Sequence, residues 1–361
     1  MNSDKEKVIL LEHSKSHQDI LYAQLLFLLE SGYKPVLWIN KELAFDTDII
    51  GKDIEIIKYE FGNSKERKIF KRNLKDYVRE NKITNVILNT AQGIQARNIV
   101  FKFLFTKINF VGILHEAERL FNSFTQKTIS YKIKKYFVLN DYIAEYSENL
   151  RNKRINIKAL YPFFIPYQNK SNEFLSNKLL ICIPGEVSVD RKNYKHFLET
   201  LKENTGNLSS DIRFIFLGSP RNEEGRDIIK KVKEFGLDNI IRTYDNYINE
   251  EEYLKSIYES DLIMPLIDPE VKYFKEYSSS KISGAYTLAF SFRKPLLMHN
   301  SMKHIEDFRN LAFFYDSDNL INTINDLSQN KISIEEKKKK YNQIEKFSFE
   351  YQRKQYISFL A

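Results

Sequence analysis

Cysteine is almost absent from the 361 residues: Cys182 stands alone in the apolar run "LLICIP". A disulfide framework needs pairs and a thiolate metal cluster needs several, so both are excluded. A single thiol in such a run reads as a buried core residue. Glycine is scarce as well, with 11 in all, and the loops that depend on it are missing. The first strand-like run is followed by "EHSKSHQD" rather than G-x-G-x-x-G, and neither G-x-x-x-x-G-K-[ST] nor G-x-S-x-G occurs. P-loop and serine-hydrolase chemistry are therefore out. No window approaches ~18 uninterrupted apolar residues, the mark of a membrane span; "NIVFKFLFTKINFVGIL" is broken by Lys102, Lys107 and Asn109. The start, "MNSDKEKVILLEHS", lacks the apolar length and small-residue cleavage site of a secretory leader. A cytoplasmic protein is expected, with a peripheral place on the inner face of the membrane open to it.

What is present suits two packed cores. Hydrophobic residues make up 42% and aromatics 14%, and the length fits two domains of ~150–200 residues. The net charge of +8, from 56 basic and 48 acidic residues, is spread along the chain. No nucleic-acid groove is expected from it; an anionic substrate or an anionic lipid surface suits it.

Short β-rich runs alternate with helical patterns from end to end. Candidate strands are 8–12, 35–39, 54–59, 85–89, 110–114, 136–140 and 157–161, then 179–184, 212–218, 239–244, 261–266, 294–299 and 311–316. Such alternation predicts βαβ units and parallel sheets. The polar, proline-bearing stretch "YPFFIPYQNKSNEFLSNK" reads as an interdomain linker. Expected boundaries are a first domain over 1–168, a linker over 169–178, a second domain over 179–345 and a terminal helix over 346–361. Two doubly wound α/β domains facing each other would bind ligands at the carboxyl ends of both sheets.

Several small patterns compete for attention. His13 and His17 have i,i+4 spacing, but "HSKSH" lacks the glutamate of H-E-x-x-H, and Ser16 there looks like a helix N-cap. Asp46-Thr47-Asp48 and Asp316-Ser317-Asp318 have D-x-D spacing; the second reads equally as a helix start. No metal site is expected from either. Stronger is the row of loops that follow successive strands of the second half. "PGEVSVDRKNY" brings Gly185, Arg191 and Lys192 to a helix start. "FLGSP" brings Gly218, and "TYDNYIN" brings Tyr244 and Tyr247, which can stack on a base. "EYSSSKISGAYTLAFSFRKPLL" brings Glu276, Ser279, Ser280, Lys281, Ser283 and Gly284, either as an anion cradle or as plain helix-starting chemistry. In the first half, "GILHEAERL" ends a strand at His115 and Glu116, a candidate general base with its orienter, or a capping carboxylate beside a partly buried His. His13, Ser14 and His17 follow strand one, and Asn89 and Gln92 follow "NVIL".

The succession "PGEVS..RKNY", "FLGSP", "TYDNYINEEEYLKSIYESDLIMPL" and "SSSKISGAYTLAFSFRKPLL" resembles the donor domain of GT-B glycosyltransferases, nearest the large retaining family 4. The resemblance covers the second half well and the first half in architecture. Gly284 and Pro295 fall where that family's E-x-x-G…E-A-x-A-x-G-x-P signature has them. Its two glutamates fall on Lys281 and on or beside Leu288, so the pair that embraces the donor sugar is missing, with Glu276 as a replacement from the same loop. The resemblance implies two Rossmann-like domains across a cleft and a terminal helix returning to the first. It implies a nucleotide-sugar substrate, no further cofactor, and a glycan or lipid-linked acceptor in cell-surface polysaccharide synthesis. Gly185, Arg191, Lys192, Gly218, Tyr244, Tyr247 and the 279–284 group would hold the donor, and His115, Glu116 and Glu276 would serve catalysis. His13, Ser14, His17, Asn89 and Gln92 would face the acceptor. A nucleotide-sugar epimerase of the same fold, or a non-catalytic glycosyltransferase-like partner, are the alternatives.

Overall fold

The computed structural model describes residues 5–45, 50, 54–150, 154–167 and 178–360. Asp46 and Asp48, and the expected linker 169–178 apart from Lys178, lie outside them. By its internal contacts the chain falls into two compact units. The first is Met1–Pro166 with Ser279–Ile282 and Lys346–Ala361, and the second is Tyr167–Ser278 with Ser283–Glu345.

The first unit carries β1 (Lys7–Glu12), β2 (Lys34–Asn40), β3 (Glu55–Tyr59), β4 (Asn85–Leu88), β5 (Asn109–Leu114), β6 (Lys135–Val138) and β7 (Asn156–Ala159). They form one parallel sheet in the order β3-β2-β1-β4-β5-β6-β7. Strands such as "VILLE" and "NVIL" carry unbroken apolar runs, with a polar residue only at one end, because helices cover both faces of a parallel sheet, and β1 and β4 are buried almost end to end. The Ser64–Glu80 helix shows how the polar sequence between strands folds. Asn63 and Glu66 form a capping box, and Phe70, Leu74 and Val78 recur every fourth residue on its one buried face.

The second unit carries β8 (Leu179–Pro184), β9 (Ile212–Leu217), β10 (Ile241–Arg242), β11 (Leu262–Ile263), β12 (Leu296–His299) and β13 (Ala312–Tyr315). Their order is β10-β9-β8-β11-β12-β13, again all parallel. Both sheets thus have the doubly wound order in which the direction of strand addition reverses between the first and fourth strand. The runs at 239–244 and 261–266 shrink to two paired residues each. Beyond β11, Pro265 has no N–H to give a ladder and Leu266 turns left-handed at φ 53°. β10 is an edge strand, and edges are often short.

The terminal "SIEEKKKKYNQIEKFSFEYQRKQYISFL" divides between the units. The Lys331–Gln343 helix belongs to the second, whereas the Phe349–Ile357 helix packs on the first. There the Tyr356 hydroxyl donates to Gln24 Oε1 at 3.0 Å, and Tyr161 N–H donates to Gln352 Oε1 at 2.8 Å. Phe27, Phe137 and Phe359 surround the Tyr356 end of that helix with stacked and tilted rings.

Candidate functional site

In an open parallel sheet the carboxyl ends of the strands flanking the reversal leave a crevice for ligands. In the first unit that point lies between β1 and β4, and it collects polar groups. Glu12, the last residue of β1, is completely buried. Its Oε2 accepts from Asn89 Nδ2 and from the Thr90 hydroxyl, both at 2.6 Å, and its Oε1 accepts from Ser14 N–H at 2.6 Å. Gln24 Nε2 donates to Asn89 Oδ1 at 2.6 Å, so the buried chain runs Tyr356–Gln24–Asn89–Glu12.

The three histidines of this unit gather on that base. His13 Nε2 donates to Thr90 O at 2.9 Å and His115 Nε2 to Asn89 O at 2.8 Å. A carbonyl partner fixes each ring as the Nε2–H tautomer when neutral, leaving Nδ1 as an acceptor. His17 stacks on His115 with ring centroids 3.7 Å apart. Burial first, and the neighbouring His17 next, push the His115 pKa well below the usual histidine value. Gln92 Oε1 accepts from the N–H groups of both His115 and Glu116 at 3.2 Å, which holds the turn after β5.

Three expectations change here. Glu116 does not orient His115: its carboxylate bonds Arg119 Nε and, at 3.1 Å, Lys281 Nζ. Burial pulls the Glu116 pKa up, but Arg119 and Lys281 together outweigh it and hold the group below the usual carboxylate range. Second, Ser279, Ser280 and Lys281 belong by their contacts to the first unit rather than the second. Lys281 bridges Glu116 antiparallel, Ala117 N–H donates to Ser280 O at 2.9 Å, and the Tyr142 hydroxyl donates to Lys281 O at 3.0 Å. Third, Ser16 caps no helix. The helix starts at Asp19 with Gln18 before it, while Ser14 and Ser16 bond each other in the turn.

The second unit has its own reversal, between β8 and β11. Gly185, just beyond β8, sits at φ +94°, a conformation that favours glycine. Gly218, just beyond β9, is pressed against it: a Cβ on Gly218 would lie 2.2 Å from Gly185 O. Lys192 is buried beside this turn, its Nζ donating to Glu186 O at 3.2 Å. Burial first, and the nearby Arg191 next, lower its pKa to about 8. Arg191 itself is exposed. Asn193 caps the Tyr194–Glu203 helix through Oδ1 and ties this loop to the one after β11: its Nδ2 donates to Asp268 at 2.8 Å and Glu270 at 3.0 Å.

Past β10, Tyr244 lies under Arg242, whose guanidinium is 4.9 Å from the ring centre, and Tyr247 is exposed. Glu276 lies on the short Phe274–Tyr277 turn of helix, partly exposed. Ser283 is the N-cap of the Gly284–Phe292 helix, its hydroxyl accepting from Ala285 N–H at 3.3 Å, with Gly284 exposed as the first helical residue. The Asp316-Ser317-Asp318 triplet leads into the Leu320–Gln329 helix, with Asp316 N–H donating to Asn319 Oδ1. Among the described residues no group of three or more His, Cys, Asp or Glu is placed to hold a metal.

Sequence reading passed over Glu12, Gln24 and Arg119. Glu12 left a signal, a charged residue closing an otherwise apolar strand; the other two left none.

No family model matches the chain, and no curated protein matches it in sequence. Solved structures do match it. Anabaena HepE in complex with UDP and glucose is 14% identical, with a TM-score of 0.70 over 98% of this chain and 99% of that one. A glycosyltransferase from Rickettsia africae is 14% identical, with a TM-score of 0.67 over 99% of each. A protein described as a UDP-N-acetylglucosamine 2-epimerase of Listeria monocytogenes is 12% identical, with a TM-score of 0.64 over 93% of this chain and 91% of that one. At such identities the likeness is one of fold, and the fold of this chain is that of the GT-B glycosyltransferases.

Proposed function

We propose that the chain is a glycosyltransferase that moves a sugar from a nucleotide-sugar donor to a glycan or lipid-linked acceptor in cell-surface polysaccharide synthesis. The observation that carries this reading is the second unit's strand-end crevice. Gly218 packs on the Gly185 turn there with the buried ammonium of Lys192 beside it, in a fold that HepE uses with UDP-glucose. A close backbone approach with a cation and a helix start suits a diphosphate. Arg191 adds charge at the rim, and Tyr247, exposed on the loop after β10, offers a stacking face for the base.

In the first unit His115 offers Nδ1 to a sugar or acceptor hydroxyl, with Nε2 already committed to Asn89 O. His13 offers the same arrangement through Thr90 O. Neutralising the leaving diphosphate falls to Lys192, Arg191 and backbone N–H groups rather than to a metal, so activity should survive chelation by EDTA.

The test is incubation with a panel of UDP-, GDP- and dTDP-sugars without acceptor. Slow release of free sugar and nucleoside diphosphate supports transfer. Recovery of an epimerised sugar still joined to its nucleotide would instead establish the epimerase reading, which the likeness to the Listeria protein favours. Tight nucleotide binding with no turnover of any donor would establish a non-catalytic binder.

A further inference from the structure

One face of the first unit is unlike the rest of its surface. Phe105 is 98% exposed, Phe124 82% and Tyr131 75%, and Ile94 and Phe101 are exposed as well. The fold brings these five together. The Gly93–Phe101 helix packs beside the Phe124–Ile129 helix. Gln126 Nε2 donates to Ala91 O at 2.9 Å at one end of the pair, and Lys132 Nζ donates to Thr106 O at 2.6 Å at the other. The starts of the two helices therefore lie together, with Ile94 and Phe124, and so do the turns beyond them, with Phe101, Phe105 and Tyr131.

The charge on this segment is strongly biased to one sign. Residues 93–135 hold eight basic and two acidic residues, a balance of +6 against +8 for the whole chain. Both acids, Glu116 and Glu118, sit on the intervening turn, and Glu116 is paired with Arg119 and Lys281. Lys102, Lys107, Lys127 and Lys134 are exposed around the rings.

We propose that this face docks on an anionic phospholipid bilayer, with the Phe and Tyr rings entering the headgroup layer and the lysines meeting lipid phosphates. Apolar patches of this kind mark interaction surfaces, and a ring of cations around aromatics matches an anionic interface. A side chain as exposed as Phe105 protrudes rather than lining a groove, which suits a fluid surface. Among the described residues no helix is long and apolar enough to cross a membrane, so the contact is interfacial. It requires no nucleotide and no acceptor, and stands apart from the transferase reading.

The experiment is flotation of the full chain with vesicles of phosphatidylcholine alone or mixed with phosphatidylglycerol. Binding at least about tenfold stronger to the anionic vesicles, weakened by salt, is expected. A Phe105→Ser/Phe124→Ser double variant should lose about tenfold in affinity, with circular dichroism and melting temperature unchanged. A Lys102→Glu/Lys127→Glu double variant should lose the preference for anionic lipid. Failure of the wild type to bind, or equal binding by either double variant, overturns the proposal. So does a wild-type dimer in lipid-free solution that Phe105→Ser/Phe124→Ser converts to monomer, which would assign the face to a second copy of the chain. Donor turnover measured without vesicles reads the transferase proposal separately, so either can fail alone.

Discussion

His17 lies flat on His115, ring centroids 3.7 Å apart and planes 23° from parallel, with the His17 backbone in the left-handed region at φ 74°. Few residues other than glycine adopt that conformation, and it is kept only where the surroundings impose it. Here Asn89 Nδ2 donates to His17 O at 3.1 Å, while Asn89 O receives the His115 ring. One asparagine thus positions both members of the stack.

The stack has a pH consequence. Burial and His17 depress the His115 pKa, so the fold holds this ring neutral, whereas the unfolded chain takes up a proton near ~6.5. The unfolded state then binds more protons below that pH, and stability rises with pH. The His115 contribution is complete above ~6.5 and is lost as the pH falls toward the depressed folded value. Urea unfolding at about pH 7.5 and about pH 5.5 should show wild type losing more stability than His115→Gln. Equal losses would remove His115 from the account.

Glu12 is the keystone of the same crevice. Replacing it with Ala would strand three donors, from the buried Asn89 and Thr90 and the half-buried Ser14. Each buried unsatisfied group costs ~1–3 kcal/mol, so Glu12→Ala should lower the first unit's stability by about 3 kcal/mol or more. Tyr356→Phe, which removes one hydrogen bond at the far end of the chain, should cost about 1 kcal/mol. Denaturant titration of both variants, and of the pair together, checks the values and whether they couple.

How much of this was legible in advance depends on the distance over which each feature is encoded. The thirteen strands were readable because apolar runs bounded by turn residues are local signals, and the Asn249 cap of the Glu250–Glu259 helix, with three glutamates after it, is encoded just as locally. Gly185 and Gly218 were readable as strand-end glycines. That Gly218 must be glycine because Gly185 O sits against it is a contact over 33 positions, invisible to local pattern. Lys281 illustrates the limit better. It lies in a stretch with all the marks of a phosphate cradle, yet its partner is Glu116, 165 residues earlier. No spacing rule connects them. Ser283, in the same stretch, does what its neighbours suggest and caps a helix.

Gly218→Ala tests the packing of the second crevice. The new Cβ would meet Gly185 O at 2.2 Å and Gly185 C at 2.5 Å, both backbone atoms that cannot swing aside. Overpacking of this kind costs ~1–3 kcal/mol, and here it would also move the Gly185–Glu186 peptide. The expected result is a lower second-unit unfolding midpoint together with weaker nucleoside-diphosphate binding by calorimetry. A variant as stable and as tight-binding as wild type would remove this turn from the site.

Lys281 and Lys192 make opposite predictions for the same ligand. The Lys281 ammonium is held by Glu116, so Lys281→Met should change nucleoside-diphosphate affinity less than about twofold, and a partly exposed pair of this kind is worth ~0–1 kcal/mol in stability. Lys192→Met should weaken the same ligand by ~1–3 kcal/mol, the cost of losing a charge-assisted bond to phosphate. Calorimetric titration with UDP on both variants decides the matter; a large loss in Lys281→Met would return that residue to the diphosphate.

Lys192 also sets a pH profile for binding. Its pKa is lowered to about 8 by burial and by Arg191, so in the empty site the ammonium begins to lose its proton at mildly alkaline pH. A bound diphosphate favours the charged form and raises that pKa, so binding takes up a proton. The sign follows from linkage. Affinity is flat below about pH 8, where the group is already protonated, and falls as the pH rises through that value. Lys192→Arg keeps its charge at all these pH values and should flatten the profile, even if its bulkier head binds less tightly overall. Nucleoside-diphosphate titrations on either side of the transition, in buffers of differing ionisation enthalpy, measure both the slope and the proton uptake. A wild-type profile as flat as that of Lys192→Arg would show that the anion lies elsewhere.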